Sequence, residues 1–428
     1  MTGSPALALY LAVSRVAGPV AGWLLRQRVA RGREDRVRLG ERLGRAGVAR
    51  PVGQLVWLHG ASVGEALSML PLITGIRARA PEVRCLVTTG TVTSARRMAE
   101  LLPQGCLHQF VPVDTAAAVR GFLDHWRPDL AIWVESEFWP GLMTATARRG
   151  IPMMLVNARV SARSARRWGW VPGMAATLVG SFRWIVTQDD ETARRLVAMG
   201  ADPARVREGG NLKALTPVPG CDAAAFERLR GLLAGRPVWL AASTHAPEEA
   251  AVAAAHRVAV RSLPGLLTIL APRHPKRGGE IAALLAGQGF SVARRSHGAV
   301  PGPETEVWLA DTLGEMGLWL RLAQVSFVGG SIAPLGGHNP FEAAALGAAI
   351  LHGPETGNFA PAYRTLDAAG GARTVVDGAG LGDAVAALLR DGVARKAMTD
   401  AAEGVRGRLE PDVARLAREA LALMEGAA

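Results

Sequence analysis

Leu55-Val56-Trp57-Leu58, the loop His59-Gly60-Ala61-Ser62-Val63-Gly64-Glu65 and the helical stretch Ala66 to Ala80 follow one another directly. A short apolar run bounded by such a loop reads as a strand buried on both faces. The glycines let the backbone turn tightly into the helix that follows. The same unit recurs. Cys85-Leu86-Val87, Phe110-Val111, Leu130-Ala131-Ile132-Trp133-Val134, Met153-Met154-Leu155-Val156 and Trp184-Ile185-Val186 read as further buried strands, with helices such as Ala116 to Trp126 between them. Strand alternating with helix is the pattern of a parallel sheet, so this part of the chain is a doubly wound α/β domain.

The pattern breaks across Leu215-Thr216-Pro217-Val218-Pro219-Gly220, which has linker character. It restarts with Val238-Trp239-Leu240-Ala241, Leu267-Thr268-Ile269-Leu270, Val307-Trp308-Leu309, Val325-Ser326-Phe327-Val328 and Ala349-Ile350-Leu351. A chain of 428 residues exceeds what one core normally covers. The expected organisation is an N-terminal segment over 1–40, a first Rossmann-like domain over 41–214, a linker over 215–236 and a second Rossmann-like domain over 237–428. The last helix is long enough to return to the first domain. Neither half carries a G-x-G-x-x-G, and there is no Walker A motif. Two Rossmann-like domains facing a central cleft without those fingerprints point to the GT-B glycosyltransferase architecture. Ligands of such sheets sit beyond the carboxyl ends of the strands, where the loops carry the chemistry.

The formal charge of +12 invites a nucleic-acid reading, but the basic residues are dispersed and carry few interleaved aromatics. An anionic membrane or substrate accounts for them equally well. Lysine occurs only at Lys213, Lys276 and Lys396, and the first two fall within loop motifs. Cys85, Cys106 and Cys221 form no C-x-x-C, and the nine histidines show no H-E-x-x-H, so neither a disulfide framework nor a structural metal is expected. Leu7 to Leu25 is an apolar run of nearly spanning length, interrupted by Arg15 and Pro19. Arg26, Arg28, Arg31, Arg33, Arg36 and Arg38 follow it, which favours membrane attachment with the rest of the chain on the cytoplasmic side.

Several loops could carry chemistry. Glu65 could act as a general base, although the positive helix end beside it would tend to lower its pKa. Ser62 and Glu65 also have capping-box spacing, which serves the fold alone, and both readings stay open. Glu135 directly follows the apolar run Leu130 to Val134, where a carboxylate is costly without a partner or a site. Arg159 could hold an anion, and Lys213, in Gly209-Gly210-Asn211-Leu212-Lys213, could neutralise a leaving phosphate or an acidic sugar. In the second half, two prolines fix the loop Ala271-Pro272-Arg273-His274-Pro275-Lys276, and the planar fork of Arg273 suits phosphate. Asp311-Thr312-Leu313-Gly314-Glu315-Met316 and Gly336-Gly337-His338-Asn339-Pro340-Phe341-Glu342 read as helix entrances for an anion or nucleotide, with Asn339 as N-cap and Pro340 at the first helical position. Thr312 with Glu315 and Asn339 with Glu342 again have capping-box spacing, so a bare cap remains the alternative at both.

Taken in order, these loops resemble the 3-deoxy-D-manno-octulosonic acid (Kdo) transferase family, membrane-associated GT-B enzymes that move Kdo from CMP-Kdo to a lipid A precursor. The resemblance runs through Ser62 to Glu65, Glu135 to Pro140, Asn157 to Ser164, Leu212-Lys213, Ser243-Thr244-His245, Pro272 to Pro275, Asp311 to Glu315 and Gly336 to Glu342. It implies Glu65 as proton acceptor, with Glu135 and Lys213 as transition-state stabilisers. It also implies CMP binding by Pro272 and Arg273, by Leu313, Gly314 and Glu315, and by Asn339, Pro340, Phe341 and Glu342. The implied reaction is an inverting transfer from CMP-Kdo to lipid IVA at the cytoplasmic face of the inner membrane, with no metal, no cofactor and no nucleic-acid partner. The sequence departs from the family pattern at Ala214 and Leu215, where an aromatic and an acidic residue are common, and at Ser136 and Phe138, in place of Thr and Leu. Two rivals are a GT-B enzyme using a UDP- or GDP-sugar and a non-enzymatic lipid A-binding protein at the membrane.

Overall fold

The computed structural model describes residues 4–408 and 410–426. The chain forms two compact units: Met1–Pro217 together with Leu409–Ala428, and Val218–Arg408. Residues 1–40 and the C-terminal helix therefore both belong to the first unit, and the stretch 215–236 carries a helix, Ala223–Leu232.

In the first unit, seven strands form one sheet: β1 (Leu55–His59), β2 (Arg84–Thr89), β3 (Cys106–Phe110), β4 (Leu130–Val134), β5 (Met153–Ala158), β6 (Trp184–Thr187) and β7 (Val206–Glu208). Their order is β3-β2-β1-β4-β5-β6-β7, and every pairing is parallel. In β1, Val56 and Leu58 join a core on one face, while Leu55 and Trp57 join a core on the other. Burial on both faces explains the unbroken apolar runs that replace the alternation of a one-sided sheet.

The second unit repeats the plan with β8 (Val238–Thr244), β9 (Leu267–Pro272), β10 (Val292–Arg294), β11 (Val307–Leu309), β12 (Val325–Val328), β13 (Ala349–His352) and β14 (Ala372–Thr374). The order is β10-β11-β9-β8-β12-β13-β14, again all parallel. Each sheet has one topological switch point, between β1 and β4 in the first unit and between β8 and β12 in the second. There the chain leaves neighbouring strands in opposite directions and opens a crevice at their carboxyl ends.

The N-terminal run forms two helices, α1 (Pro5–Val16) and α2 (Gly18–Ala30). Among the described residues no single helix is long and apolar enough to cross a membrane. The two together meet that length and composition but are bent by 68°. Both lie on the first unit. Tyr10 of α1 donates to Asp114 (2.7 Å), whose carboxylate also accepts the N–H groups of Gly141 and Leu142, and Leu7 and Leu25 are buried. Leu9, Val13, Val16, Val20 and Trp23 remain exposed.

Helix α3 (Val63–Arg79) follows β1, and the C-terminal helix α4 (Glu410–Glu425) packs on it. Gly75 makes this close approach possible, since a Cβ there would stand 3.3 Å from that of Ala417. Leu416, Ala417, Ala420 and Met424 of α4 are buried in the same core as Val56, Leu58 and Ile132. Arg207 on β7 donates to both carboxylate oxygens of Glu419, which fixes the helix along the sheet edge.

Candidate active site

At the switch point of the first unit, β1 ends in His59 and the loop Gly60 to Ser62 leads into α3. Ser62 accepts the N–H of Glu65 (3.3 Å), and Glu65 accepts in return from the N–H groups of Ala61 (2.6 Å) and Ser62 (3.4 Å) and from the Ser62 hydroxyl (2.7 Å). The capping box is therefore real, and the same bonds hold the carboxylate in one orientation. The expectation that the helix end lowers the pKa of Glu65 is corrected. Burial comes first and the charge of Glu135 second, and together they raise it above the ordinary carboxylate value despite the bonds from Ser62 and Ala61.

Glu135 arrives from the neighbouring strand β4. Its backbone sits at φ 61°, a conformation that non-glycine residues rarely adopt, and its N–H donates to Val156 O (3.1 Å). Its side chain is 12% exposed and forms an ion pair with Lys213, itself 14% exposed. Lys213 is delivered by a turn that two asparagines organise. Asn157, at φ 52° on β5, accepts the N–H of Leu212 (3.0 Å), and Asn211 accepts the N–H of Lys213 (3.0 Å). The lysine then lies against the start of α3, so close that a Cβ on Gly64 would be 3.7 Å from its Cε. Three residues from distant parts of the chain, Glu65, Glu135 and Lys213, thus meet at one point. A half-buried carboxylate with raised basicity stands beside a second carboxylate whose charge an ammonium balances.

His59 was given no role by the sequence. It is fully buried, its Nδ1 lies 3.0 Å from Thr88 Oγ1, its ring meets Trp139 edge-on at 5.8 Å, and burial pushes its pKa down to about 4. A neutral imidazole is thereby built into the floor beneath the loop that carries Glu65. Nothing in its neighbours along the chain signals this, because Thr88 and Trp139 come from other strands and loops.

At the switch point of the second unit lies a cavity of 370 Å³. Pro272, Arg273, Leu313, Gly314, Asn339 and Glu342 line it, joined by Ser243, His338 and Phe359, while Glu315, Pro340 and Phe341 are not among its lining residues. Two of the helix entrances differ from expectation. The helix expected from Pro340 is α-helical only over Phe341–Ala345 and has Pro340 as its N-cap. Asn339 accepts the N–H of Phe341 (3.1 Å) instead of forming a box with Glu342. Likewise the helix Met316–Leu322 begins after Glu315, whose carboxylate is taken by Arg295 (2.6 Å) and by the Thr312 hydroxyl. A partner distant in sequence outcompetes the local cap, because a bidentate guanidinium binds a carboxylate more strongly than a backbone N–H does. Ser243, at φ 54°, and Arg273, whose N–H donates to Thr244 O (2.9 Å), bring the ends of β8 and β9 to the cavity wall.

Residues 37–216 match the family model described as 3-Deoxy-D-manno-octulosonic-acid transferase (kdotransferase). The 3-deoxy-D-manno-octulosonic acid transferase of Bordetella pertussis is 36% identical over 404 residues, covering 92% of this chain and 93% of that protein. This chain belongs to the Kdo transferase family. The Haemophilus influenzae Kdo transferase is 34% identical over 333 residues, covering 77% of this chain and 78% of that protein. The segment matched by the family model contains Glu65, Glu135 and Lys213. Among solved structures, the Anabaena protein HepE in complex with UDP-glucose is 12% identical, with a TM-score of 0.57 over 86% of this chain and 100% of that one. That likeness shows the fold alone, a GT-B-like pair of Rossmann-like units. As a Kdo transferase the chain is a glycosyltransferase.

Proposed function

We propose that this Kdo transferase transfers Kdo from CMP-Kdo to the lipid A precursor lipid IVA, with inversion, using Glu65 as general base and protein cations in place of a metal. The observation that carries the reading is the convergence of Glu65, Glu135 and Lys213 at the switch point of the first unit. A hydroxyl of the acceptor gives its proton to the Glu65 carboxylate, the oxygen bonds to the anomeric carbon of Kdo, and the bond from that carbon to the CMP phosphate breaks. One displacement inverts the centre. The raised pKa makes Glu65 a stronger base than a solvated carboxylate, and the bonds from Ala61 and Ser62 aim it. Glu135 and Lys213 stabilise the charge that develops in the transition state.

The donor belongs to the cavity of the second unit, where Arg273 and the N–H groups of the surrounding loops meet the CMP phosphate. The acceptor belongs to the first unit. Beside the Glu65 loop, a cavity of 400 Å³ has Leu24, Leu25, Val113, Trp139 and Ala61 along its apolar wall and the ion-paired Arg28, Glu34 and Arg42 beside them, and Ala61 is the residue whose N–H holds Glu65. An apolar wall next to the base suits an acylated sugar. The exposed apolar residues of α1 and α2, followed by the arginines from Arg26 to Arg38, support attachment at the cytoplasmic face of the inner membrane.

Incubation with lipid IVA and CMP-Kdo, followed by mass spectrometry of the lipid, tests the whole reading. The expected outcome is a lipid heavier by one or more Kdo residues. No mass gain with lipid IVA, or transfer from a UDP- or GDP-sugar instead, would overturn it.

A further inference from the structure

At the cavity of the second unit stands a pair of histidines that neither the nucleotide nor the base requires. His245 follows β8 and caps the helix Ala246–Ala259, and His338 lies in the loop after β12. Their Nε2 atoms are 2.9 Å apart, and their ring planes are within 12° of each other with centroids separated by 5.2 Å. His274 meets the His245 ring edge-on at 5.7 Å. His338 itself lines the cavity, next to Arg273.

The surroundings hold this pair still. The Glu248 carboxylate accepts the N–H groups of His245 (3.1 Å), Gly330 (2.7 Å), Ser331 (2.9 Å) and Ile332 (3.0 Å), locking the two loops to each other. The Tyr363 hydroxyl donates to His338 O (2.9 Å). At Gly330, φ is 70° and a Cβ would come within 3.1 Å of the His338 ring, so the absence of a side chain is what seats the imidazole there. Burial first and the Arg273 guanidinium second push the pKa of His338 down to about 4, so the ring is neutral.

Two neutral imidazoles carry two protons on four nitrogens. One proton is used in the Nε2–H···Nε2 bond, and the ring that accepts there keeps its own proton on Nδ1, free for an outside acceptor. The transferred unit is an acid sugar, so its donor brings two anions: a phosphate, for which Arg273 is suited, and a carboxylate, for which the cavity needs a second donor. We propose that His338, held as the Nδ1–H tautomer by a hydrogen bond from His245 Nε2–H, binds the carboxylate of the transferred sugar and so selects an acid sugar. His338 would touch the substrate, and His245 is a positioning residue. The inference rests on the donor being CMP-Kdo.

CMP retains the phosphate and lacks the sugar acid, which separates the two anion sites. For His338→Ala, the KM for CMP-Kdo should rise by about tenfold or more, as for loss of a hydrogen bond to a charged group, while CMP affinity by calorimetry stays within about twofold. His338→Asn, which places an amide N–H near the Nδ1 position, should recover part of the loss. His245→Ala should raise KM with little change in kcat, and His245→Gln should restore it. Equal weakening of CMP and CMP-Kdo would overturn the proposal by assigning the ring to the phosphate, as would unchanged KM in His338→Ala. If the unaltered chain binds neither CMP nor CMP-Kdo, the donor reading itself fails and takes this inference with it. Thermal unfolding of each variant checks that the loop is intact.

Discussion

In the proposed mechanism Glu65 both caps a helix and takes a proton, and its surroundings pull its pKa in opposite directions. The bonds from Ser62 and Ala61 favour the charged form, while burial and Glu135 disfavour it, and the latter win. Glu65→Ala should therefore lower transfer by roughly 100-fold or more while CMP-Kdo binding is kept, the usual scale for removing a general base. Near-normal turnover in single-turnover assays would remove Glu65 from that role. The pH profile gives a sharper check. The base works only when deprotonated, so activity should fall with decreasing pH through a value above the ordinary carboxylate range. Glu135→Gln removes the second cause of that rise, and its remaining activity should show the acid limb displaced to lower pH. A limb that stays put would mean that the two carboxylates are not coupled. At this scale the sequence exposed Glu65, Glu135 and Lys213 by their places after strands and in a glycine loop. It could not show that Glu135 occupies a left-handed conformation, nor that His59 and His338 are neutral, because those properties come from partners elsewhere in the chain.

Among the elements, the sequence marks the inner strands of both sheets and, through Phe110-Val111, the buried end of the edge strand β3. Those missed are β7, β10 and β14, each of three residues and each at the edge of its sheet. Edge strands keep one side in water, so Val206-Arg207-Glu208 and Ala372-Arg373-Thr374 lack the apolar run that marks an inner strand. Helix starts show the same limit. Of three capping-box spacings, Ser62 with Glu65 forms the reciprocal bonds, while at Thr312 and Asn339 the helix begins later than the spacing implies, at Met316 and Phe341. Spacing defines what is locally possible, and Arg295, twenty positions before Glu315, decides otherwise. The formed box makes its own prediction. Ser62→Ala should cost about 1 kcal/mol of stability, as for loss of an N-cap side chain, and should also raise the acid limb of activity, because the hydroxyl that stabilises the Glu65 carboxylate is gone. Chemical denaturation and a pH–rate profile on the same variant read both effects. Lost stability with an unmoved acid limb would confine Ser62 to capping.

On the scale of the whole molecule, the chain closes the first unit with its last helix, so stability of that unit depends on residues more than 200 positions from the strands they cover. Leu416 on α4 is 1% exposed and packs in the core with Val56 and Leu58 of β1. The cavity proposed for the donor is built wholly from residues of the second unit. Two units with separate cores should unfold in resolvable steps, which calorimetry of the full chain can follow. Leu416→Ala should destabilise the first unit by about 2–5 kcal/mol, the range for deleting a buried leucine side chain, and should lower the transition of that unit alone. CMP should raise the other transition, since a ligand present at a hundred times its Kd stabilises the state that binds it by about 2.7 kcal/mol. UDP and GDP should do so less, because the proposed donor is a cytidine nucleotide. The two perturbations cross-check each other. If CMP shifts the same transition that Leu416→Ala lowers, the nucleotide is bound by the first unit and the division of labour between base and donor is reversed; if UDP or GDP protects more strongly than CMP, the donor is a different sugar nucleotide.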